Sequence, residues 1–316
     1  MTQPRAAAVF IFNHKFEKNL PKLDAIYASR FAHRQFIMPF ATSTDPRVLR
    51  IAESSWNFSG HVAQAGARIV RDGAITHYAF ISDDLVLNPE VNQDNLADLL
   101  RFAPSAGYIK SLTAADAVRY GWPWAGEAAM SIRKFGRGFD WRHELPPADE
   151  AQKRFEAMGL RFPFPRPNNM AEVAYSLLRM PRRSPWAFAM GLGVTGRRAD
   201  YPILCGYADF FVVPADALDR FVHYCGVFAA MNVFAEVAIP TSLALAVDQV
   251  VTELPLGEFF MKPVPARPGM LRGMELWDPD EIRGFADKHG HSLARLRDEF
   301  DPDWLYVHPV KISGWS

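Results

Sequence analysis

The stretch YAFISDDLVLNP, residues 78–89, places two adjacent carboxylates directly after a run of residues that predicts a buried strand. Asp83 and Asp84 repel each other, and charged pairs are uncommon next to a core. Adjacent acids in a loop are often only a solvated turn or a helix cap. The position at a strand end and the apolar residues that follow give a functional role equal weight, because carboxylates bind Mg²⁺ or Mn²⁺ together with substrate phosphates. The stretch therefore predicts a divalent metal and, behind it, the diphosphate of a nucleotide.

The segments around this stretch alternate between strand and helix patterns. Buried strands are predicted at AAVFIF (7–12), RQFIMPF (34–40) and THYAFISDD (76–84), and helical patterns, including DPRVLRIAESS (45–55), separate them. This alternation predicts an α/β fold with a mostly parallel central sheet flanked by helices. Ligands of such sheets bind at the carboxyl ends of the strands, where Asn13 and the two acids are expected.

The pattern is less regular in the middle of the chain and becomes regular again afterwards. A strand is predicted at PILCGYADFFVVP (202–214), a helical run at FAEVAIPTSLALAVDQVV (234–251) and a final strand at WLYVHPVKIS (304–313). No repeat or flexible linker interrupts the chain, which favours one domain over residues 1–316. Within it we predict a Rossmann-like nucleotide-binding half (1–110), an irregular region (111–200) and a partner-binding half (201–316).

Composition excludes several classes of function. The chain has 316 residues with 35 basic and 35 acidic side chains and a pI near 7.1, which argues against nucleic acid as a partner. Its cysteines, Cys205 and Cys225, lack metal-ligand spacing, so a reducing cytoplasm is expected. No apolar run reaches the roughly 18 residues of a membrane span, and the N-terminal AAAVFIF predicts a strand and not a signal peptide.

The end of the final predicted strand, YVHPVKIS, carries His308 and Lys311. A neutral imidazole is a common metal ligand, and an ammonium group neutralises phosphate as a point charge. A lone histidine before a proline is more often structural. Together with Asp83 and Asp84, however, these residues form a set that would surround one metal–diphosphate.

This order of motifs resembles the GT-A class of nucleotide-sugar-dependent glycosyltransferases, which bind metal and diphosphate through a short acidic DxD motif at a strand end. Several retaining families, including glycogenin, add a C-terminal His and Lys. The resemblance implies that Asp84 and His308 bind Mn²⁺ or Mg²⁺, and that Asp83 and Lys311 contact the nucleoside-diphosphate sugar. The first acid of the motif falls on Ser82, and the HPVK spacing differs from that of glycogenin. The segments FNHK, SSWNFSG and ISDDLVLNP also resemble bacterial proteins encoded near polysaccharide biosynthesis genes.

Two acids stand out in the second half of the chain. Asp209 lies in GYADFFVVP, and Glu236 lies in NVFAEVAIP among apolar neighbours. Burying an unpaired carboxylate is costly, so each must be hydrogen-bonded or line a cleft. GT-A enzymes often have an acid here that binds the acceptor or, in inverting members, deprotonates its hydroxyl, and burial would raise the pKa of such an acid toward the useful range. The alternative is a capping or salt-bridged acid, and the sequence does not separate Asp209 from Glu236.

Further residues are candidates for holding the nucleotide or meeting a membrane. Asn13 and His14 follow the first strand, where GT-A enzymes contact the base and ribose, while Trp56 and Ser59 offer a stacking surface and a hydroxyl. Taken singly, each of these residues is somewhat more typical of an ordinary loop. A basic, aromatic stretch is a candidate for peripheral contact with an anionic inner membrane at its cytoplasmic face, and contains Arg179, Arg182, Arg183, Arg197 and Arg198.

The leading hypothesis is thus a metal-dependent glycosyltransferase that moves a sugar to a saccharide or lipid-linked acceptor in polysaccharide synthesis. A metal-dependent nucleotidyltransferase is the rival enzyme, although FIFNHKFEKNLP lacks the glycine-rich loop common after the first strand of such enzymes. A non-catalytic, polysaccharide-associated protein on the same fold is the remaining alternative.

Overall fold

The structure is a computed structural model that describes residues 5–101, 103–118, 122–163, 199–261 and 264–316. Its strands are β1 Ala6–Ile11, β2 Arg34–Pro39, β3 Val48–Ile51, β4 His77–Ser82, β5 Val86–Leu87, β6 Ala106–Ile109, β7 Thr113–Ala114, β8 Leu204–Cys205, β9 Phe210–Pro214, β10 Gln249–Thr252, β11 Arg272–Glu275 and β12 Trp304–His308. Its α-helices are α1 Leu20–Tyr27, α2 Phe58–Ala65, α3 Leu96–Leu99, α4 Ala115–Val118, α5 Pro123–Phe135, α6 Trp141–Glu144, α7 Ala148–Ala157, α8 Leu218–Ala230, α9 Ala235–Ala246, α10 Pro279–Lys288 and α11 Leu293–Asp298.

A central sheet organises the described residues. Its seven strands lie in the order β10-β6-β9-β4-β1-β2-β3. Strand β9 is antiparallel to both of its neighbours, whereas the other pairs are parallel. The predicted α/β class with a mostly parallel central sheet is therefore confirmed, and its arrangement is compatible with a Rossmann-like fold.

Helices cover both faces of this sheet. On one face Tyr27 of α1 packs its ring 4.9 Å from the ring of Phe10 in β1. On the other face Phe221 of α8 lies 5.8 Å from Phe80 and 5.6 Å from Phe211. The register pairs Phe10 with the residue after Phe80, so these two rings point to opposite faces. Burial from both sides explains why AAAVFI in β1 and YAFI within β4 are uninterrupted apolar runs.

The structure corrects two elements of the sequence analysis. Residues 45–55, predicted as helix, contain strand β3, and the helical run 234–251 ends at Ala246 before strand β10. Both are short segments with β-branched residues, for which hydrophobic spacing does not separate helix from strand. Strand β3 forms because it pairs with β2, and β10 forms because it pairs with β6, which is distant from it in sequence.

The region 111–200 is more regular than predicted where the structure describes it, because it contains α4 to α7. The five arginines proposed to meet a membrane fall at 164–198, outside the described residues, so that prediction stays open. Among the helices of the described ranges, none is long and apolar enough to cross a membrane.

A second, smaller sheet carries the C-terminal motif. Its strand order is β11-β12-β5, with β12 parallel to β11 and antiparallel to β5. Strand β5 begins two residues after Asp84, and its pairing with β12 matches Val86 with Val307 and Leu87 with Tyr306. This sheet therefore joins the chain that follows the acid pair to the chain that ends at His308.

Candidate functional site

The acid pair lies where the strand order of the central sheet reverses. From β1 the chain builds β2 and β3 on one side and then returns to place β4 on the other. Ligands of open α/β sheets bind outside the carboxyl ends of strands at such a switch point. Ile11 of β1 pairs with Ser82 of β4, so Asn13 and Asp83 leave the sheet at the same edge. The Asn13 backbone N–H donates a hydrogen bond to Asp83 Oδ1 over 3.3 Å.

His308 and Lys311 converge on Asp84. The distance from His308 Nε2 to Asp84 Oδ1 is 3.1 Å, across 224 positions of sequence. The Lys311 ammonium donates to Asp84 Oδ2 at 2.5 Å. The Asp84 and His308 side chains are 11% and 17% exposed, whereas Lys311 is 64% exposed. The structure therefore brings the predicted acid, imidazole and ammonium together.

Strand pairing explains this convergence. The antiparallel register of β5 with β12, continued outward, sets residue 309 opposite Asp84. The Val310 N–H accordingly donates to the Asp84 carbonyl oxygen over 2.6 Å. His308 precedes and Lys311 follows this backbone contact in the chain, so both side chains reach the Asp84 carboxylate.

The two adjacent acids have opposite electrostatic environments. Burial, with repulsion from Asp84 as the next cause, raises the pKa of Asp83 to about 7, although hydrogen bonds from Asn13 and Asn19 oppose the shift. Burial would also raise the pKa of Asp84, but the hydrogen bonds and charges of His308 and Lys311 outweigh it and hold that pKa well below its usual value. Asp84 is thus the ionised member of the pair.

Tyr207, which the sequence did not predict as a site residue, orients His308 from the Nδ1 side of its ring. The distance between the Tyr207 hydroxyl and His308 Nδ1 is 2.5 Å, leaving Nε2 directed toward Asp84. Asp209 Oδ1 lies 3.8 Å from the same Nε2 and accepts a hydrogen bond from the Ser82 hydroxyl at 2.8 Å. Burial lowers the pKa of His308, but Asp209 and Asp84 outweigh it, so the pKa is raised overall. Tyr207 and Asp209 both belong to the segment between β8 and β9, and both reach the imidazole of His308.

Glu236 is the second predicted acid near this group. It lies in the first turn of α9, and its backbone carbonyl accepts a hydrogen bond from the Gly206 N–H at 3.0 Å. Burial, reinforced by repulsion from Asp209, raises the pKa of Glu236 well above its usual value. Within the described residues its carboxyl group has neither a hydrogen-bond donor nor a cation as a partner. Such an acid has the environment of a general base or acid.

The residues proposed to contact the nucleotide differ in their surroundings. His14 is exposed, with its ring 6.0 Å from that of Phe16. Ser59 is fully buried, and its hydroxyl donates to Asn57 Oδ1 at 2.9 Å, so it presents no free group in this conformation. Trp56 packs against the rings of Trp124 and Phe234 near α9. Their predicted roles toward a nucleotide remain predictions.

The donor atoms of the Asp84 group fit a metal that takes only part of its ligands from protein. Two ligand atoms about 2.1 Å from an ion and at right angles lie about 3.0 Å apart, close to the observed Asp84–His308 contact. Mg²⁺ commonly uses one or two protein ligands and completes its shell with phosphate oxygens and water. In the described part of the chain, no group of at least three His, Cys, Asp or Glu side chains is arranged to hold a metal. A full protein cage is therefore absent there, and any ion would need the substrate's oxygens.

A buried ionic network, also missed from the sequence, lies behind Tyr207. The Lys110 ammonium contacts the Glu275 carboxylate and lies 3.8 Å from Glu253 Oε1 and 5.6 Å from the Tyr207 ring centroid. The Tyr306 hydroxyl donates to Glu275 at 2.6 Å. These residues are far apart in sequence, so no local pattern indicates that they meet.

Replacing Glu253 by glutamine is expected to change how stability depends on pH. Burial, only partly opposed by Lys110, raises the pKa of Glu253 from 4.5 to about 7, and the side chain is 2% exposed. The folded state thus holds a proton that the unfolded chain releases, and this group lowers stability as pH rises from 4.5 toward 7. Relative to the parent, Glu253→Gln should gain up to about 3 kcal/mol of unfolding free energy between pH 5 and pH 8.

Urea unfolding at several pH values measures this difference, with the exposed Glu258→Gln as the matched control. Glutamine keeps an oxygen for the Gly273 N–H that donates to Glu253 at 2.9 Å, so the variant should fold. A difference between Glu253→Gln and the parent that does not vary with pH would contradict the prediction.

Comparisons with known proteins do not assign the chain to a family. The chain matches no model of a known protein family, and no curated protein sequence is similar to it. The chemistry of the Asp84 group and its neighbours is therefore the basis for assigning a function.

Proposed function

We propose that the protein is a metal-dependent glycosyltransferase of the GT-A type. It would transfer a sugar from a nucleoside diphosphate to a saccharide or lipid-linked acceptor in cell-surface polysaccharide synthesis, in the cytoplasm or at the cytoplasmic face of the inner membrane. The observation that carries the proposal is the meeting of Asp84, His308 and Lys311 at the switch point of the sheet. Their chemistry suits one ion and one diphosphate.

Asp84 and His308 would hold Mn²⁺ or Mg²⁺ together with the diphosphate. The bound metal would supply charge stabilisation for the leaving nucleoside diphosphate. Lys311, which is largely exposed, turns its ammonium from Asp84 to a phosphate oxygen. At about 4 Å and an effective dielectric constant near 20, such a contact contributes roughly 4 kcal/mol of attraction before desolvation.

The reaction also needs a carboxylate that accepts the proton of the acceptor hydroxyl. The bond from the sugar's anomeric carbon to the phosphate oxygen breaks, and a bond to the acceptor oxygen forms. The acceptor's proton passes to a base, for which Glu236 is better suited than Asp209. Asp209 already accepts from Ser82 and lies beside His308, whereas the Glu236 carboxyl has no partner in the described residues.

One observation favours the non-catalytic alternative. The Asp84 carboxylate is already occupied by His308 and Lys311, and this arrangement is also that of a closed structural ion pair. A purely structural cluster would have no affinity for metal or nucleotide. A nucleotidyltransferase, by contrast, would prefer nucleoside triphosphates.

A thermal-shift panel with UDP, GDP, CDP, their sugars, and UTP, each with and without Mn²⁺, separates these functions. The glycosyltransferase proposal predicts stabilisation by one diphosphate class that requires Mn²⁺. Stabilisation mainly by the triphosphate would favour the nucleotidyltransferase, and the lack of any metal-linked shift would contradict enzymatic function at this site.

A further inference from the structure

Three partly buried rings lie beside the helix that carries Glu236. The Trp56 ring centroid is 5.0 Å from that of Trp124 and 4.6 Å from that of Phe234. Trp124 and Phe234 are 5.2 Å apart. Phe234 directly precedes α9, whose second residue is Glu236. We name Trp56, Trp124 and Phe234 the Trp56 cluster; each retains accessible surface despite its large apolar ring.

A second group of rings lies on the side of His308. Trp277 is 54% exposed, and its ring lies 6.3 Å from Phe260 and 6.1 Å from Tyr207. Tyr207 is the hydrogen-bond partner of His308. The residue before Trp277 donates its N–H to the His308 carbonyl oxygen over 2.8 Å. Trp277, Phe260 and Tyr207 form what we name the Trp277 cluster, which ends in an exposed indole at the edge of the site.

The two clusters are continuous. Trp122 lies between them, with its ring 6.1 Å from Phe234 and 5.9 Å from Phe260, both within the usual range for packed aromatic pairs. Glu236 is two residues after Phe234, and Asp209 is two residues after Tyr207. Each acid is therefore close along the chain to a ring of one cluster, and the two acids are near enough to each other to interact electrostatically.

Accessible aromatic faces close to carboxyl groups match the surface of a sugar chain. A pyranose ring has an apolar face of C–H groups, which stacks on an indole, and an edge of hydroxyl donors, which carboxylates accept. The charge of Asp209 would disfavour an anionic ligand at this position. Glu236 also lacks a described partner, so a hydroxyl donor would satisfy a costly group.

We propose, on the basis of the glycosyltransferase function above, that the two clusters bind an extended neutral oligosaccharide as the acceptor. One sugar ring stacks on the Trp56 cluster and another on the Trp277 cluster, with the reacting hydroxyl between them at Glu236. Trp56 then serves the acceptor and not the nucleotide base. Because both clusters must be reached at once, affinity increases from disaccharides to hexasaccharides.

Titration calorimetry with maltohexaose, cellohexaose, chitohexaose and α-1,6-mannohexaose, each compared with its disaccharide, tests this inference. At least one hexaose should bind the parent protein. Trp277→Ala should weaken that binding about tenfold, and Trp124→Leu should weaken it by a similar factor. Trp277→Phe should retain most of the affinity. Phe135→Ala removes a 39% exposed ring from α5, the helix that also carries Trp124, and should have no effect.

A nucleotide titration with UDP, GDP or CDP and Mn²⁺ on the same variants distinguishes the possible failures. Unchanged oligosaccharide affinity in both tryptophan variants, or the failure of every hexaose to bind, would overturn the inference. Loss of nucleotide binding in Trp277→Ala with unchanged hexaose binding would also overturn it and assign the indole to the base. If a hexaose binds in a tryptophan-dependent way but no nucleotide shows metal-linked binding, the two clusters still bind sugar and the glycosyltransferase function is rejected.

Discussion

Replacing Asp84 by asparagine is expected to abolish metal-dependent nucleotide binding and, with it, sugar transfer. The substitution keeps the size of the side chain but removes the charge that pairs with His308 and Lys311. An amide oxygen is a much weaker ligand for Mn²⁺ or Mg²⁺ than a carboxylate. We expect the affinity for nucleoside diphosphate in the presence of Mn²⁺ to fall by about two to three orders of magnitude, and turnover by at least as much.

The Asp84→Asn variant should remain folded, which makes the test informative. Removing the charge also removes its repulsion of Asp83, one cause of that residue's raised pKa, and so offsets part of the lost ion pair. Calorimetry with Mn²⁺ and nucleotide measures the effect, and Asp149→Asn, at an exposed position, is the control. If the variant binds metal and nucleotide as the parent does, Asp84 is not a metal ligand.

Replacing Glu236 by glutamine is expected to impair catalysis while leaving nucleotide binding unchanged. Glutamine fits the same space but cannot accept the acceptor's proton, so kcat should fall by about 10²- to 10⁴-fold. Asp209→Asn should have a smaller effect on kcat, because Asp209 contacts Ser82 and His308. A fall in kcat for Asp209→Asn with normal turnover in Glu236→Gln would assign the base to Asp209 instead.

The pH dependence gives a second measurement on the same residue. A base works when deprotonated, so kcat/KM should rise with pH through the pKa of Glu236. Because burial and Asp209 raise this pKa, the rise should lie at higher pH than for an ordinary glutamate. This rise should disappear in Glu236→Gln and persist in the exposed control Glu258→Gln.

Local sequence was sufficient to predict the parts of the site that follow buried strands. The apolar run of β4 predicts that Asp83 and Asp84 leave the sheet at its carboxyl edge, and the structure has them beside Asn13 after β1. The same reasoning failed for β3 and β10, whose few residues take their conformation from the strands beside them. Element type was thus predictable where an apolar run is long and fully buried.

The contacts around His308 depend on long-range pairing that no local pattern encodes. His308 was expected to join Asp84 from its chemistry as a metal ligand and from a family resemblance, whereas the structural cause is the register of β5 with β12. Tyr207, and Lys110 behind it, were missed because their partners come from other elements. Single polar residues in apolar runs resemble ordinary core residues until the opposing strand is known.

The central claim is that Asp84 and His308 bind one ion together with a diphosphate. Anomalous diffraction at the manganese edge, from crystals soaked with MnCl₂ and the diphosphate selected by the thermal-shift panel, tests it most directly. We predict a peak about 2.1 Å from an Asp84 carboxylate oxygen and from His308 Nε2, with Lys311 moved onto the phosphate. A peak bound elsewhere, or an Asp84 carboxylate that still pairs with His308 and Lys311 without metal, would contradict the claim.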